Sequence, residues 1–216
     1  MSGPFFDGVL WAIVPESAET PLAVYRREMP LTAETLERYA ALQHQRAEKA
    51  RVRDEVMILD VEGPLFKYAN LLTKVSGATS YEILARDFQV ALDDPAIKGI
   101  LLNVDSPGGE ANGCDELAVA IHQARGRKPI VAYVSGMACS GAYWIASAAD
   151  RIAVSDAAIL GSIGVLLTVE DRSAANERRG IRHHQFVSSV SPGKRPDPAS
   201  DAGGARIQKM VDDLAA

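Results

Sequence analysis

The chain has 216 residues and a net charge of −5, and 47% of its residues are apolar and 24% charged. This length predicts one domain with room for an appendage, and the composition is that of a globular protein. The acidic balance excludes a basic track for a nucleic-acid backbone, so we expect no nucleic-acid partner.

The sequence carries no signature of export or membrane insertion. Its N-terminus lacks the charged and apolar regions of a secretory signal, and no run approaches the roughly 20 apolar residues of a membrane span. We therefore expect a cytoplasmic protein without a membrane anchor. In such a reducing compartment Cys114 and Cys139 are predicted to be free thiols that pack in the core.

The N-terminal quarter differs from the rest of the chain. Thr32 is a suitable helix cap, and a charged helical pattern follows it through residues 35–54. We interpret this part as an amphipathic arm that docks on the body or on a partner subunit. The predicted domains are thus an N-terminal helical arm, residues 1–54, and a main domain, residues 55–216.

From residue 55 onward, strand and helix patterns alternate. Thr79 to Glu82 fits a capping box for a helix that ends at Asp94-Pro95, and Gly126 follows a second helix at a position that favours a left-handed residue. The predicted strands are VMILDV, IKGILLNVD, PIVAYV, RIAVS and a stretch near RHHQFVS. The predicted helices are the segment after the capping box, CDELAVAIHQAR, SGAYWIASAAD, a stretch near DRSAANERRG and the last 18 residues. This alternation predicts an α/β fold with a mostly parallel sheet.

Two small-residue turns follow buried strands in the same way, at NVD-SPGG and YV-SGMACSG. Sites form at the carboxyl ends of parallel strands, so the two turns are expected to meet. Their backbone amides would suit a developing oxyanion. Ser140 itself stays ambiguous at this level, because a serine at a helix start is usually a cap and the elbow pattern G-x-S-x-G is absent.

Three blocks carry a family resemblance: VDSPGGE (104–110), ACSGAYWIASAAD (138–150) and GSIGV (161–165). In this order and spacing they resemble the signal peptide peptidase A-like serine peptidases, whose fold is similar to that of Clp protease and crotonase. The resemblance covers about residues 55–200. It is nearest to the branch of tailed phages and prophages in which such enzymes mature the capsid.

The resemblance implies a Ser-Lys dyad without a metal or organic cofactor. Ser140 matches the nucleophile, and Lys194, in a loop rich in Ser, Gly and Pro, matches the general base. Ser162 matches a serine that orients the lysine amine. The oxyanion donors match Gly141 together with Gly109 or Gly108. The family also implies a homo-oligomer in which the dyad can be shared between subunits.

Other candidate bases and nucleophiles are weaker. Lys209 falls in the predicted terminal helix and is expected to be a surface lysine. His183 and His184 lie on the predicted strand near RHHQFVS and would point to opposite faces. His44 and His122 are expected to be structural or exposed. Tyr143 and Trp144 are predicted to pack in the core.

The leading prediction is therefore a serine endopeptidase that binds extended segments of capsid or scaffold proteins. It would act in the host cytoplasm or in the assembling phage head. One alternative is a signal peptide peptidase-type enzyme that degrades released peptides. Two others keep the fold but not the chemistry: a crotonase-like acyl-CoA enzyme and an inactive scaffold protein.

Overall fold

The computed structural model describes residues 11–13, 50–69, 78–169, 171–191 and 193–215. The chain divides into two compact units. One, the main unit, is Trp11–Gly164, and the other, the C-terminal unit, contains the described residues from Val165 onward. The predicted arm helix lies, up to residue 49, outside the described residues.

The described part of the main unit contains two sheets. Their strands are β1 (Trp11–Ile13), β2 (Ala50–Arg53), β3 (Val56–Glu62), β4 (Leu65–Phe66), β5 (Thr79–Ser80), β6 (Gly99–Ser106), β7 (Gly108–Glu110), β8 (Ile130–Cys139), β9 (Arg151–Val154) and β10 (Ile159–Gly161). The smaller sheet has the order β1-β7-β4-β5. The larger has the order β10-β8-β6-β3-β2, and β9 also pairs with β8.

The larger sheet is parallel except at one edge. β3 pairs with β6, β6 with β8, and β8 with both β9 and β10, all in parallel register. The α/β class with a mostly parallel sheet is thereby confirmed.

The exception is the edge strand β2, which pairs antiparallel with β3. The prediction of a helix through residue 54 is therefore wrong for residues 50–53. Pairing with the exposed edge of β3, with Arg51 bonded to the Asp60 carboxylate at 3.1 Å, overrides the local helical pattern.

In the described part of the main unit, three helices connect the strands: α1 (Tyr81–Asp93), α2 (Cys114–Gln123) and α3 (Gly141–Ser147). The first begins one residue later than the capping box predicts. Ser80 is its cap and accepts the Ile83 amide at 3.5 Å, whereas the Thr79 hydroxyl donates to the Glu62 carbonyl at 2.8 Å. Pairing of Thr79 in β5 takes it out of the cap position. Asp94 ends α1, and Gly126 has φ 81°, both as predicted.

One apolar core lies between α1–α3 and the larger sheet. Alternate residues of β3, β6 and β8 point into it, as the period of a strand requires. The core-facing side chains are Met57, Leu59 and Val61 in β3, Ile100, Leu102 and Val104 in β6, and Ile130, Ala132 and Val134 in β8. This packing fixes where β6 and β8 end, and those ends carry the two predicted turns. Trp144 packs partly buried against the same core.

The C-terminal unit contains α4 (Ser173–Arg178) and α5 (Asp201–Ala215), as predicted. Before α5, the Ser200 hydroxyl accepts the Gly203 amide at 3.1 Å. The predicted strand near RHHQFVS is wrong, because residues 181–191 form no strand. Strand propensity alone does not make a strand without a paired neighbour, and Phe186 is 97% exposed. No helix in the described part of the chain combines the length and apolar character that crossing a membrane requires.

Candidate active site

Ser140 occupies a sharp turn between β8 and α3. Its backbone has φ 52° and ψ −120°, a conformation that non-glycine residues rarely adopt. A helix cap normally has extended backbone and bonds an amide of the first turn, but the Ser140 side chain makes no such bond. The cap interpretation is therefore wrong. The serine is held in a strained turn for which capping provides no reason.

The surroundings of Ser140 fix that turn on both sides. Its amide donates to the Gly161 carbonyl at 2.8 Å, and its own carbonyl accepts the Trp144 amide at 3.0 Å. The hydroxyl donates to the Gly164 carbonyl at 3.3 Å. Ser140 is only 6% exposed, so its few contacts define the position of the oxygen closely.

The GSIGV block supplies these partners. β10 pairs with the end of β8, and Gly161 is in register with Cys139. The chain then turns through three residues with positive φ: Gly161 at 144°, Ser162 at 52° and Gly164 at 137°. Ser162 thus follows Gly161, the residue in register with Cys139 beside the Ser140 turn, and its side chain is exposed. The block is brought to Ser140 by strand pairing.

The SPGG turn connects β6 to β7 and is organised by a serine that the sequence analysis missed. The Ser106 hydroxyl is fully buried, donates to the Gly63 carbonyl at 2.6 Å and accepts the Gly108 amide at 3.2 Å. Gly108 has φ 98°. Its amide is therefore engaged in holding the turn, which makes Gly109 the stronger candidate of the two predicted glycine donors.

Gly109 lies against the backbone of Leu65. A Cβ at this position would collide with the Leu65 carbonyl oxygen and come within 2.5 Å of its amide nitrogen. The two residues are in register between β7 and β4. Only glycine permits this approach.

A carboxylate ties the ends of β6 and β8 together. The Asp105 side chain accepts the Met137 amide at 3.0 Å, where the pairing of β6 with β8 shifts register. Gly136 leaves room for it, since a Cβ there would collide with the same carboxylate. Asp105 stands next to Ser106 in one motif and Gly136 next to Met137 in the other, so the two predicted turns are bonded to each other.

Two buried polar side chains complete this region, and only one of them was considered in the sequence analysis. Cys114, predicted to pack, is fully buried and its thiol also donates to the Gly141 carbonyl at 3.3 Å. Tyr81 donates its hydroxyl to the Glu110 carbonyl at 2.8 Å. Burial raises the pKa of Cys114 to about 12 and that of Tyr81 well above its ordinary value. Neither bond could be predicted from a local sequence pattern, because each joins residues distant in sequence.

Cys139 packs as predicted. Its thiol is buried beside β10, with the Ile159 carbonyl at 3.8 Å, and desolvation raises its pKa. A thiol with a raised pKa is a poor nucleophile at neutral pH. This chemistry leaves Ser140 as the nucleophile candidate of the turn.

Lys194 belongs to the C-terminal unit. Its amide donates to the Ser191 carbonyl at 3.0 Å, and its side chain is exposed. Because Ser140 and Lys194 lie in different units, their pairing as a dyad stays a prediction.

The competing bases are on the surface. Lys209 lies in α5 and binds the Asp213 carboxylate at 2.6 Å, as expected for a surface lysine. His183 and His184 are both exposed, and His183 contacts the Asn176 amide at 3.2 Å. They do not lie on a strand, so the expectation of opposite faces is wrong. His122 is exposed on α2, and His44 lies outside the described residues.

Part of the chain matches a known family model. Residues 122–214, which include Ser140, Ser162 and Lys194, match the sequence model of Peptidase family S49. The predicted resemblance to signal peptide peptidase A-like peptidases is thereby confirmed for this segment, which is less than half of the chain.

Several curated relatives have protease names, and two of them represent the range. Capsid assembly protease C of Escherichia phage lambda is 36% identical over 135 residues, which are 62% of this chain and 31% of that protein. Protease 4 of Salmonella typhi is 37% identical over 100 residues, 46% of this chain and 16% of that protein. The chain thus spans less than a third of the length of either relative.

Among solved structures, an enoyl-CoA hydratase from Polaromonas sp. JS666 is similar at a TM-score of 0.43 and 15% identity. The match covers 77% of this chain and 76% of that one. A likeness this remote transfers no activity.

Proposed function

We propose that the chain is a serine endopeptidase in which Ser140 is the nucleophile and Lys194 the general base. The observation that carries the proposal is the strained backbone of Ser140. Its side chain makes no helix-capping bond and instead donates to the Gly164 carbonyl in the GSIGV block. Strain of this kind persists where the surroundings impose it, and it concentrates at active sites. The family match of the same segment supports peptide hydrolysis.

The chemistry follows from these groups. Neutral Lys194 takes the proton of the Ser140 hydroxyl as Oγ attacks the peptide carbonyl carbon, and the amides of Gly141 and Gly109 stabilise the oxyanion. The lysine ammonium then protonates the leaving amine. Water, activated by the same amine, releases the acyl group and restores the serine. The base role requires the neutral amine, because an ammonium group has no lone pair to accept a proton, and Ser162 is proposed to orient that amine.

The substrate is proposed to bind as an extended segment. β10 is an edge strand beside the nucleophile turn, and its Ile159 and Leu160 side chains are 60% and 42% exposed. An extended peptide could add to such an edge through main-chain hydrogen bonds. Capsid or scaffold proteins are the proposed substrates, because one relative is named a capsid assembly protease. We place the enzyme in the host cytoplasm or assembling head, as a homo-oligomer that can share its dyad between subunits.

The test compares cleavage of casein by wild type, Ser140→Ala and Lys194→Ala. Loss of the general base is expected to slow cleavage by about 10²–10⁴-fold, and loss of Ser140 to abolish it. Lys209→Ala is the matched control, because Lys209 is a lysine with a surface partner in the same unit. Cleavage that survives in Ser140→Ala would refute the proposal.

A second arm separates this function from acyl-CoA chemistry. A fluorophosphonate probe should label Ser140 in wild type and in Cys139→Ala, but not in Ser140→Ala. If Lys194→Ala cleaves normally while His184→Ala fails, the base assignment is wrong.

A further inference from the structure

Cys114 contacts the residue that follows the nucleophile. It is the first residue of α2 and is fully buried, and its thiol donates to the Gly141 carbonyl at 3.3 Å. Gly141 is the first residue of α3. The bond therefore attaches the start of α2 to the start of the nucleophile helix.

Tyr81 makes a similar contact at the other turn, with the residue that follows Gly109. It is the first residue of α1 and is buried, and its hydroxyl donates to the Glu110 carbonyl at 2.8 Å. Glu110 directly follows Gly109 in β7. The Tyr81 hydroxyl and the Cys114 thiol are also near enough for each to shift the pKa of the other. Two neighbouring buried groups thus each donate a hydrogen bond to the backbone of one glycine turn.

These contacts matter because both proposed oxyanion donors are glycines. A glycine has no side chain to restrict its backbone, so its peptide planes are held by whatever binds them. Oxyanion donors act over about 2.7–3.1 Å from the transition-state oxygen. We infer that Cys114 and Tyr81 are positioning residues that hold the Gly141 and Gly109 turns at the separation which one oxyanion requires. This inference rests on the proposed peptidase function.

The protonation of both groups fits this role. Each bond needs its proton, and burial first of all raises the pKa of Cys114 to about 12 and that of Tyr81 well above its ordinary range. The neighbouring Tyr81 hydroxyl lowers the pKa of the thiol, while Asp115 and Glu116 raise it further. Both donors therefore keep their protons at neutral and mildly alkaline pH.

The test measures kcat and KM for a fluorescent casein peptide in Cys114→Ala, Tyr81→Phe and their double variant. A misplaced donor should lower kcat by roughly tenfold in each single variant and leave KM unchanged. The double variant should lose less than the product of the two single losses, because the groups are neighbours that act on one oxyanion site. Cys114→Ser, which keeps a donor at the same position, should recover most of the lost kcat. Affinity for a peptide aldehyde, whose adduct carries the oxyanion, should fall with kcat.

Ile121→Val is the matched control. Ile121 is fully buried in the same helix, and its shortening weakens packing without removing a hydrogen bond. If Cys114→Ala and Tyr81→Phe lose no more kcat than Ile121→Val, or if Cys114→Ser rescues nothing, the positioning role is wrong while the peptidase stands. If wild type shows no Ser140-dependent cleavage, the proposed function fails and the inference fails with it.

Discussion

The Ser140 hydroxyl donates to the Gly164 carbonyl oxygen at 3.3 Å. This is long for a bond between a hydroxyl and a carbonyl, where about 2.7–2.8 Å is usual. The proton of the proposed nucleophile thus has a weak acceptor that a lysine amine could replace. Gly164, at φ 137°, presents that carbonyl through a turn that a side chain would strain.

Ser140→Gly should be more stable than Ser140→Ala, although neither variant should cleave peptides. The φ of 52° strains any residue with a Cβ, and glycine relieves a strain of about 1–3 kcal/mol while losing about 0.5–1 kcal/mol in chain entropy. We expect a net difference of about 1 kcal/mol in the free energy of unfolding, measured by urea denaturation. Equal stability of the two variants would mean that the turn is not strained.

Gly109→Ala should destabilise the main unit by about 1–3 kcal/mol, the usual effect of overpacking. Its Cβ would collide with the Leu65 backbone, which is paired in the sheet and cannot move aside as a side chain could. Gly99→Ala is the control, because its Cβ would meet the Pro129 carbonyl at an ordinary 3.6 Å. Thermal unfolding of both variants measures the difference. A Gly109→Ala protein as stable as Gly99→Ala would contradict the packing described for β7.

Cys114 should make stability fall as pH rises from about 9 to 12. Its pKa is raised from 9.0 to about 12 by burial, with Asp115 and Glu116 adding to the effect. In this window the unfolded chain releases the thiol proton while the folded chain keeps it, so the free energy of unfolding decreases by up to about 1.4 kcal/mol per pH unit. Below pH 9 both states are protonated and the stabilisation is fully present.

Urea denaturation at several pH values checks this slope. Cys114→Ala should show a shallower decrease than wild type over the same window, since its remaining slope comes from other groups such as Tyr81. Parallel curves for the two proteins would show that the thiol does not titrate differently on folding.

The regular core could be predicted from the sequence because its signals are local. The periodic apolar residues of α1 and the alternating residues of β3, β6 and β8 are buried where their spacing requires. The prediction was wrong for two segments whose structure depends on tertiary pairing. Ala50–Arg53 became a strand because β3 offered an edge, and residues 181–191 formed none for want of a paired neighbour.

The candidate site could be predicted in its parts but not in its connections. Small residues after strands have a local pattern, which indicated Gly109 and Gly141, whereas Ser140 was indicated by the family resemblance. The backbone conformation of Ser140 is set by the Gly161 carbonyl and lies beyond local propensity. The bond from Cys114 to Gly141 spans 27 positions, which no periodic pattern encodes.

Arg125→Lys should destabilise the end of α3, the helix that follows Ser140. The guanidinium of Arg125 donates to the carbonyls of Ser147, Ala148 and Ala149 at 2.7–2.8 Å, and a lysine ammonium cannot reproduce that planar fork. A loss of about 1 kcal/mol is expected. Arg127→Lys is the control, because Arg127 only pairs with the exposed Asp93 carboxylate at 3.0 Å. Equal melting temperatures for the two variants would argue against a role for Arg125 in closing α3.

Lys194→Arg should abolish most cleavage while preserving charge. An arginine side chain stays protonated at any working pH and cannot accept the serine proton, so the rate should fall by about 10²–10⁴-fold. Lys209→Arg should leave the rate unchanged, since Lys209 needs only its charge to pair with Asp213. A Lys194→Arg variant that cleaves at the wild-type rate would remove Lys194 from the mechanism, and Ser140 would then require a different base.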